Sequence, residues 1–172
     1  MKPFLFGGAV MLVASLAAAQ GTQPLPGDAN SLQEMHGDWR VACVQQDGKK
    51  VCALSQQQTD PGTHQLLLAI ELNAPAIDRA EGTLILPFGL ALDRPITLRV
   101  DDGATGAALG FRTCLPVGCL VSVAFDQKIV ALLRKGTALT VAATADGGQG
   151  AVFKISLNGF SSALDRTAAL AK

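Results

Sequence analysis

Four cysteines in two pairs are the residues of this chain whose type and spacing could do chemistry. Cys43 and Cys52 lie on either side of Asp47-Gly48, and Cys114 and Cys119 enclose the tetrapeptide Leu-Pro-Val-Gly. Paired cysteines can bind a metal, form a redox couple or make structural disulfides. The compartment of the protein and the elements that carry the cysteines decide between these uses.

The N-terminal segment predicts export. Met1-Lys2 supplies a positive start, residues 4–16 are mostly apolar, and three alanines precede Gln20. This is the pattern of a signal peptide, and we expect residues 1–19 to be removed, with an uncleaved membrane anchor as the alternative. Exported proteins form and keep disulfides, so the predicted compartment favours structural disulfides.

Turn chemistry indicates how the cysteines pair. Asp-Gly between two strand-like runs is typical of a two-residue type I′ hairpin turn. Such a turn places Cys43 opposite Cys52 as a non-hydrogen-bonded pair with Cα atoms roughly 4.5 Å apart, within the reach of a disulfide. Cys114 and Cys119 have the same symmetry about their own turn, where Pro116-Val117 favours a four-residue connection.

Redox and metal sites fit the spacing less well. A thioredoxin-like site has C-x-x-C at the start of a helix, whereas these pairs are C-x8-C and C-x4-C. The two histidines, His36 and His64, lie near neither pair at a zinc-ligand spacing. Both uses stay open as alternatives, and His64 is the candidate acid or base for an unrecognised hydrolase.

Charge and composition disfavour several classes of function. Removing residues 1–19 removes Lys2 alone among the charged residues, which leaves about one net negative charge. The chain has no Lys/Arg cluster of the kind that grips nucleic acid or anionic lipid, and no familiar catalytic or cofactor motif. We therefore expect no nucleic-acid partner, no cofactor, no metal and no catalytic residue.

From Trp39 onward the sequence predicts an all-β domain. Apolar or alternating runs are separated by Gly, Pro, Asp and Asn about every 8 to 12 residues, as in β-sandwiches. Strands are expected near residues 38–46, 49–58, 64–73, 82–88, 95–101, 107–114, 119–125, 138–144 and 151–158.

Two segments predict helices, and one predicts a linker. In DQKIVALLRKG, Asp126 can cap the first turn and Gly136 can end the helix in a left-handed conformation. In SSALDRTAALAK, Ser162 and Asp165 have the spacing of a capping box, which predicts a C-terminal helix. Residues 20–36 contain two prolines and two glycines and predict a flexible lead-in to a single domain over residues 37–172.

Five short motifs follow one another along the chain. They are WRVAC at 39–43, VCAL with following glutamines at 51–58, LPFGLAL before ITLRVD at 86–101, FRTCLPVGC at 111–119 and KISLNGFSSAL at 154–164. Their order and spacing resemble the invasion-associated locus B family of Gram-negative bacterial envelope proteins. The resemblance covers the chain from about Trp39 to Leu164.

The resemblance implies an exported, immunoglobulin-like β-sandwich in the periplasm or at the outer surface, with Cys43, Cys52, Cys114 and Cys119 in structural disulfides. It offers no catalytic residue, and the family takes its name from the invasion of host cells. A non-enzymatic protein is therefore expected, with a protein partner in the envelope or on a host-cell surface and no membrane span after signal removal. The alternatives are a periplasmic assembly helper that captures a client strand at a sheet edge, and an unrecognised hydrolase or thiol-active enzyme.

Overall fold

The structure, a computed structural model, describes residue 29, residues 31–47 and residues 49–172. The predicted signal peptide lies outside the described residues. The strands of the described part are β1 Ser31–His36, β2 Trp39–Gln46, β3 Lys49–Thr59, β4 Leu66–Ala76, β5 Arg79–Leu86, β6 Thr97–Val100, β7 Phe111–Leu115, β8 Gly118–Phe125, β9 Ala138–Thr144 and β10 Gly150–Ser156. The helices are α1 Gln127–Leu133 and α2 Phe160–Leu170.

The strands form two antiparallel sheets in a sandwich-like arrangement, which confirms the all-β prediction. The larger sheet has the order β1-β2-β3-β4-β5-β8-β7, and the smaller has the order β10-β9-β6. Buried and exposed residues alternate along β2, β4 and β9, so each of these strands turns one apolar face inward. One hydrophobic core contains residues of both sheets and both helices.

Strand β1 corrects the prediction of a flexible lead-in over residues 20–36. Ser31 to His36 pair with β2 along their whole length. The turn that makes this hairpin contains Gly37, whose φ is +56° and whose Cβ, if present, would lie 2.7 Å from the Asn158 oxygen. The prolines that suggested a linker all precede this strand. The composition of residues 20–36 as a whole predicted a linker, although exposed and partly buried residues alternate along its last six residues, Ser31–His36.

Helix α1 begins as predicted and ends differently. The Asp126 side chain accepts a hydrogen bond of 2.9 Å from the Ile129 N–H, so the predicted cap is confirmed. Gly136 is not in the left-handed region, and its N–H donates to the Leu132 carbonyl at 2.9 Å. This hydrogen bond gives the Leu132 carbonyl a partner at the end of the helix, so a left-handed glycine cap is not needed there.

Helix α2 forms, but the predicted capping box does not. The N-cap is Gly159, with φ +85° and no side-chain cap bond. A Cβ at this position would lie 1.9 Å from the His36 oxygen, so only glycine allows α2 to approach β1. Asp165 instead accepts two hydrogen bonds from the Arg134 guanidinium, at 2.5 and 3.3 Å.

Helix α2 closes the core over one half of the larger sheet. It packs on β1 to β4, and the rings of Phe160 and Trp39 meet edge to face with centroids 5.2 Å apart. The Trp39 Nε1–H donates to the Ser156 carbonyl at 2.9 Å. Trp39 is thus a core residue whose one polar atom is satisfied, as a buried tryptophan requires.

A glutamine side chain joins the two sheets. Gln56 of β3 is buried, donates from Nε2 to the Ser156 carbonyl at 2.9 Å and accepts at Oε1 from the Ser156 N–H at 3.0 Å. The Gln56 amide therefore bonds the N–H and the carbonyl of Ser156 as a neighbouring strand would, at the outer edge of β10. Gln58 adds a bond of 2.6 Å to the Lys154 carbonyl. The glutamines after Cys52 thus connect the smaller sheet to the larger one.

Candidate functional site

Both cysteine pairs form disulfides, each within one hairpin. Cys43 and Cys52 face each other across β2 and β3 with Cα atoms 4.1 Å apart, in the register that a two-residue turn predicts. Cys114 and Cys119 join β7 to β8 with Cα atoms 3.9 Å apart. Within the described residues no cysteine is free. Because each bond closes a short loop, it constrains one hairpin and not distant parts of the chain.

The hairpin between β7 and β8 has a shorter turn than predicted. Leu115 pairs with Gly118, so the turn consists of Pro116 and Val117, and the expected four-residue connection is wrong. Gly118 makes the short turn possible because its φ of +138° takes up a rotation that proline and valine do not supply. A Cβ on Gly118 would lie 2.5 Å from the Leu86 oxygen. The turn therefore packs directly against the end of β5.

Four large apolar side chains are exposed at this end of the larger sheet, and we call them the apolar tip. They are Leu67 (40% exposed), Phe88 (62%), Leu115 (48%) and Val117 (51%). Ala69 of β4 pairs with Ile85 of β5. Leu86, the last residue of β5, pairs with Cys119. The start of β4, the end of β5 and the disulfide-closed turn consequently lie side by side.

The other end of β8 borders an apolar cleft between the two sheets, with a volume of about 500 Å³. Its apolar walls include Leu98, Val100, Val123, Phe125, Ile129 and Leu132, from β6, β8 and α1. Arg99 and Lys135 lie at its border. Sequence reasoning missed this cleft because its walls come from separate segments. The run of small residues at 103–107 after β6 was the signal that this side of the sandwich is thinly covered.

His64 lies in the turn between β3 and β4, and β4 begins two residues later than predicted. Its φ is +57°, its side chain is exposed, and its imidazole makes no hydrogen bond in the part of the chain that the structure describes. Asp60 organises this turn by accepting from the N–H groups of Gly62 and Thr63 at 2.9 and 2.7 Å. Hydrogen bonds from Thr63 lower the pKa of Asp60. These contacts build a turn and supply no acid–base pair.

Asp101, part of the acidic turn after β6, also has a structural role. Its carboxylate accepts from the Thr137 hydroxyl at 2.6 Å and from the Ala138 N–H at 2.9 Å, and hydrogen bonds from Thr137 lower its pKa. This carboxylate therefore ties β6 to the start of β9. No group of three or more His, Cys, Asp or Glu among the described residues is placed to hold a metal ion. Neither helix of the described part is long and apolar enough to cross a membrane.

Comparison with known proteins places the chain in a family. The family described as Invasion associated locus B (IalB) protein matches residues 39–168. An invasion protein B homolog of Brucella abortus strain 2308 is 46% identical over 149 residues, which are 86% of each chain. Invasion protein B of Bartonella bacilliformis is 36% identical over 177 residues, which are 95% of this chain and 94% of the relative.

A solved structure shares the fold as well as the sequence. The crystal structure of invasion associated protein B from Bartonella henselae superposes with a TM-score of 0.74 at 38% identity, over 81% of this chain and 96% of that one. The family match covers most of the chain, and the relatives match over most of their own length. The chain therefore belongs to the invasion associated locus B family.

Proposed function

We propose that this chain is an exported, non-enzymatic protein of the cell envelope that binds a protein partner, in the envelope or on a host-cell surface, through the apolar tip. The observation that carries the proposal is the group of four exposed apolar side chains around a disulfide-closed turn. Apolar residues scattered singly over a surface are ordinary, whereas a contiguous group of them marks an interaction site.

The disulfide gives the tip a defined shape before binding. Cys114–Cys119 closes the turn that carries Leu115 and Val117, and Gly118 holds this turn against β5. A rigid turn loses less conformational entropy on binding than a flexible loop, so more of the contact energy becomes affinity. Phe88 adds an aromatic side chain, a residue type enriched at protein interfaces.

The compartment in this proposal rests on two features. Disulfides are typical of exported proteins, and the N-terminal sequence has the pattern of a signal peptide. The relatives are named invasion proteins, and a shared role in invasion would bring the apolar tip against an envelope or host-surface protein.

Two alternatives have less support from the structure. Capture of a client strand would have to use β1 or β7, the outer strands of the larger sheet, because in the smaller sheet β6 bonds the loop after it and β10 bonds glutamine side chains of β3. A thiol-active enzyme needs an accessible sulfur, but Cys43, Cys52 and Cys119 are buried. Unchanged thiol–disulfide exchange rates after Cys114→Ser would remove the thiol-active alternative.

Photo-crosslinking in intact cells tests the recognition proposal. A photoreactive amino acid replaces Val117 in one variant and Val152 of β10 in the control, because Val152 is similarly exposed (63%) but lies on the smaller sheet. We expect a discrete adduct with one envelope or host-surface protein from position 117 and no such adduct from position 152. Equal labelling from both positions, or no adduct from position 117, would contradict the proposal.

A functional comparison uses a strain that lacks the gene. The wild-type chain and a Phe88→Ser/Val117→Ser variant are each returned to this strain, and host-cell entry, envelope integrity and adduct formation are measured. We expect the variant to reach wild-type levels outside the cytoplasm and still to behave like the deletion strain, because both side chains are exposed and contribute little to folding. Full restoration by the variant would place the function elsewhere on the molecule.

A further inference from the structure

One face of the larger sheet is turned away from the core, and neither helix covers it in the part of the chain that the structure describes. Helix α2 packs on the opposite face, where Phe160 meets Trp39. Along β2, β3 and β4 the side chains that alternate with the buried ones are partly or fully exposed. We call this surface the outer face and define it by Arg40, Ala42, Val44, Val51, Ala53, Ser55 and Glu71.

The middle of the outer face is apolar. Val44 pairs with Val51 and Ala42 pairs with Ala53, so four apolar side chains lie together on two adjacent strands. Val44 and Val51 are each 46% exposed, and Met35 on the neighbouring strand β1 is 64% exposed. Exposed apolar side chains that lie together, unlike single ones, indicate an interaction surface.

Two opposite charges flank the middle strand of the outer face. Arg40 of β2 pairs with Ser55 of β3, and Ser55 pairs in turn with Glu71 of β4. Arg40 and Glu71 are both exposed, and neither forms a hydrogen bond or an ion pair with another described residue. Two strand spacings, roughly 10 Å, separate their backbones. The face therefore presents a cation on one side of β3 and an anion on the other, at the same height along the strand.

This arrangement is complementary to itself. A two-fold axis that runs along β3, between two facing copies, exchanges β2 with β4 and keeps the position along the strand. Arg40 of each copy then lies opposite Glu71 of the other, while Val51, Ala53 and Ser55 meet their own counterparts. Facing sheets pack roughly 10 Å apart, a gap that an arginine and a glutamate span together. Both charges are paired twice in such a dimer, and the apolar middle is buried.

We propose that a second copy of this chain covers the outer face, in an isologous dimer with the two larger sheets packed face to face. The other charged side chains on this side of the sheet are compatible with it. Glu81 of β5 lies opposite Gln33 of the second copy. Lys49 meets its own counterpart, but it lies six residues from Ser55 at the end of the hairpin, where twisted sheets diverge.

The dimer leaves the apolar tip accessible. Since β1 is an edge strand and the axis runs along β3, β1 of the second copy lies over β5. Strands β8 and β7, which carry the disulfide-closed turn of the tip, extend beyond that edge. Self-association and the protein recognition proposed above therefore use different surfaces, and each can fail without the other.

Sedimentation equilibrium of the full mature chain, disulfides intact, tests the proposal. We expect a monomer–dimer equilibrium, and Arg40→Glu or Glu71→Arg should each weaken the dimer at least about tenfold, because two attractive pairs become two repulsive ones. Lys154→Glu reverses a charge on the smaller sheet and should leave the dimer unchanged. A wild-type chain that is monomeric at about 1 mM, or that forms assemblies larger than two, overturns the proposal.

Mixing the two charge-reversal variants makes the test specific. In a pair with one Arg40→Glu chain and one Glu71→Arg chain, every reversed charge faces an opposite charge, so the mixture should form a heterodimer although each variant alone is mostly monomeric. Both positions are exposed, so both variants should keep the stability of the wild type. A mixture no more associated than its components overturns the proposal.

A cysteine crosslink locates the axis and does not depend on the charge variants. Ser55→Cys places a thiol beside its own counterpart, so oxidised glutathione should link two chains through a disulfide. Thr83→Cys is the control, because Thr83 is half-buried like Ser55 and pairs with Glu71 in the same row, but lies two strands from the axis. Equal crosslinking at both positions, or none at position 55, overturns the proposal. A monomeric chain whose photoreactive group at position 51 labels a different envelope protein would assign the outer face to that protein and overturn it equally.

Discussion

The inner face of the larger sheet is covered closely in one region and loosely in another. Over β1 to β4, α2 packs with Phe160 against Trp39, and both side chains are buried. Beside β8, α1 and the loop after β6 leave a cleft of about 500 Å³. Close packing stabilises the fold, whereas incomplete packing leaves apolar surface for a ligand. Substitutions in the two regions should therefore affect different measurements.

The largest expected effect lies at the centre of the packed region. Phe160→Ala removes a buried ring from the contact with Trp39 and should lower the free energy of unfolding by about 3 to 5 kcal/mol, measured by urea denaturation. Phe88→Ala removes an identical side chain from an exposed position and should change the free energy of unfolding by less than about 0.5 kcal/mol. Similar losses in both variants would show that burial of the Phe160 ring under α2 does not account for its contribution to stability.

The connection between the sheets should come next in size. Gln56→Ala removes a buried amide and leaves the Ser156 N–H without its acceptor, so we expect a loss of about 1 to 3 kcal/mol in unfolding free energy. Gln57→Ala, on the exposed face of the same strand, is the control and should be nearly neutral. Equal effects of the two substitutions would mean that the hydrogen bonds of the Gln56 amide across the sheets contribute nothing to the free energy of unfolding.

An ion pair between β1 and α2 should make a smaller, pH-dependent contribution. Glu34 accepts from the Arg166 Nε and Nη2 at 2.8 and 2.7 Å, and these bonds lower the pKa of Glu34 from 4.5 to about 2. The folded-state pKa is the lower one, so the stabilisation is present above about pH 4.5 and is lost as the pH falls towards 2. Because both side chains are partly exposed, we expect less than about 1 kcal/mol.

The measurement is the difference in unfolding free energy between the wild type and Glu34→Gln, at pH 6 and again at pH 2.5. The difference should be larger at pH 6. Glu81→Gln is the control, since Glu81 is exposed and makes no ion pair in the described part of the chain. A Glu34→Gln difference that is unchanged at pH 2.5 would contradict the role given to the pair.

The smallest expected effect lies in the open region. Leu132→Gln alters the wall of the cleft at an exposed position and should change the unfolding free energy by no more than about 0.5 kcal/mol, as measured by thermal denaturation. A large loss of stability would show that Leu132 belongs to the packed core.

Local features of the fold could be predicted with the least difficulty. The register of Cys43 with Cys52 and the capping of α1 by Asp126 each depend on a few neighbouring residues, and both predictions are confirmed. The capping box at Ser162 failed because α2 begins earlier, at Phe160 with Gly159 as its N-cap, so Ser162 lies inside the helix. A local capping pattern is overridden where a distant contact fixes the start of the helix, here the close approach of Gly159 to His36.

The candidate sites were predicted only in part. The cysteines around the β7–β8 turn were identified from their spacing, but the four members of the apolar tip come from three segments that only strand pairing brings together. The length of the turn depended on Gly118 and on the space beside Leu86. Neither the tip nor the cleft has a periodic pattern in the sequence.

By itself, the sequence determined the β-rich class, most strand positions, the facing cysteines of the first hairpin and the resemblance to its family. These follow from alternation, turn residues and the order of motifs, which act over short distances along the chain. Only the tertiary structure decided that Gln56 bonds the edge of β10, that β1 extends the larger sheet, and that an apolar cleft remains beside β8. The physical reason is that contacts between distant segments depend on how the sheets and helices pack together, and no local pattern encodes that packing.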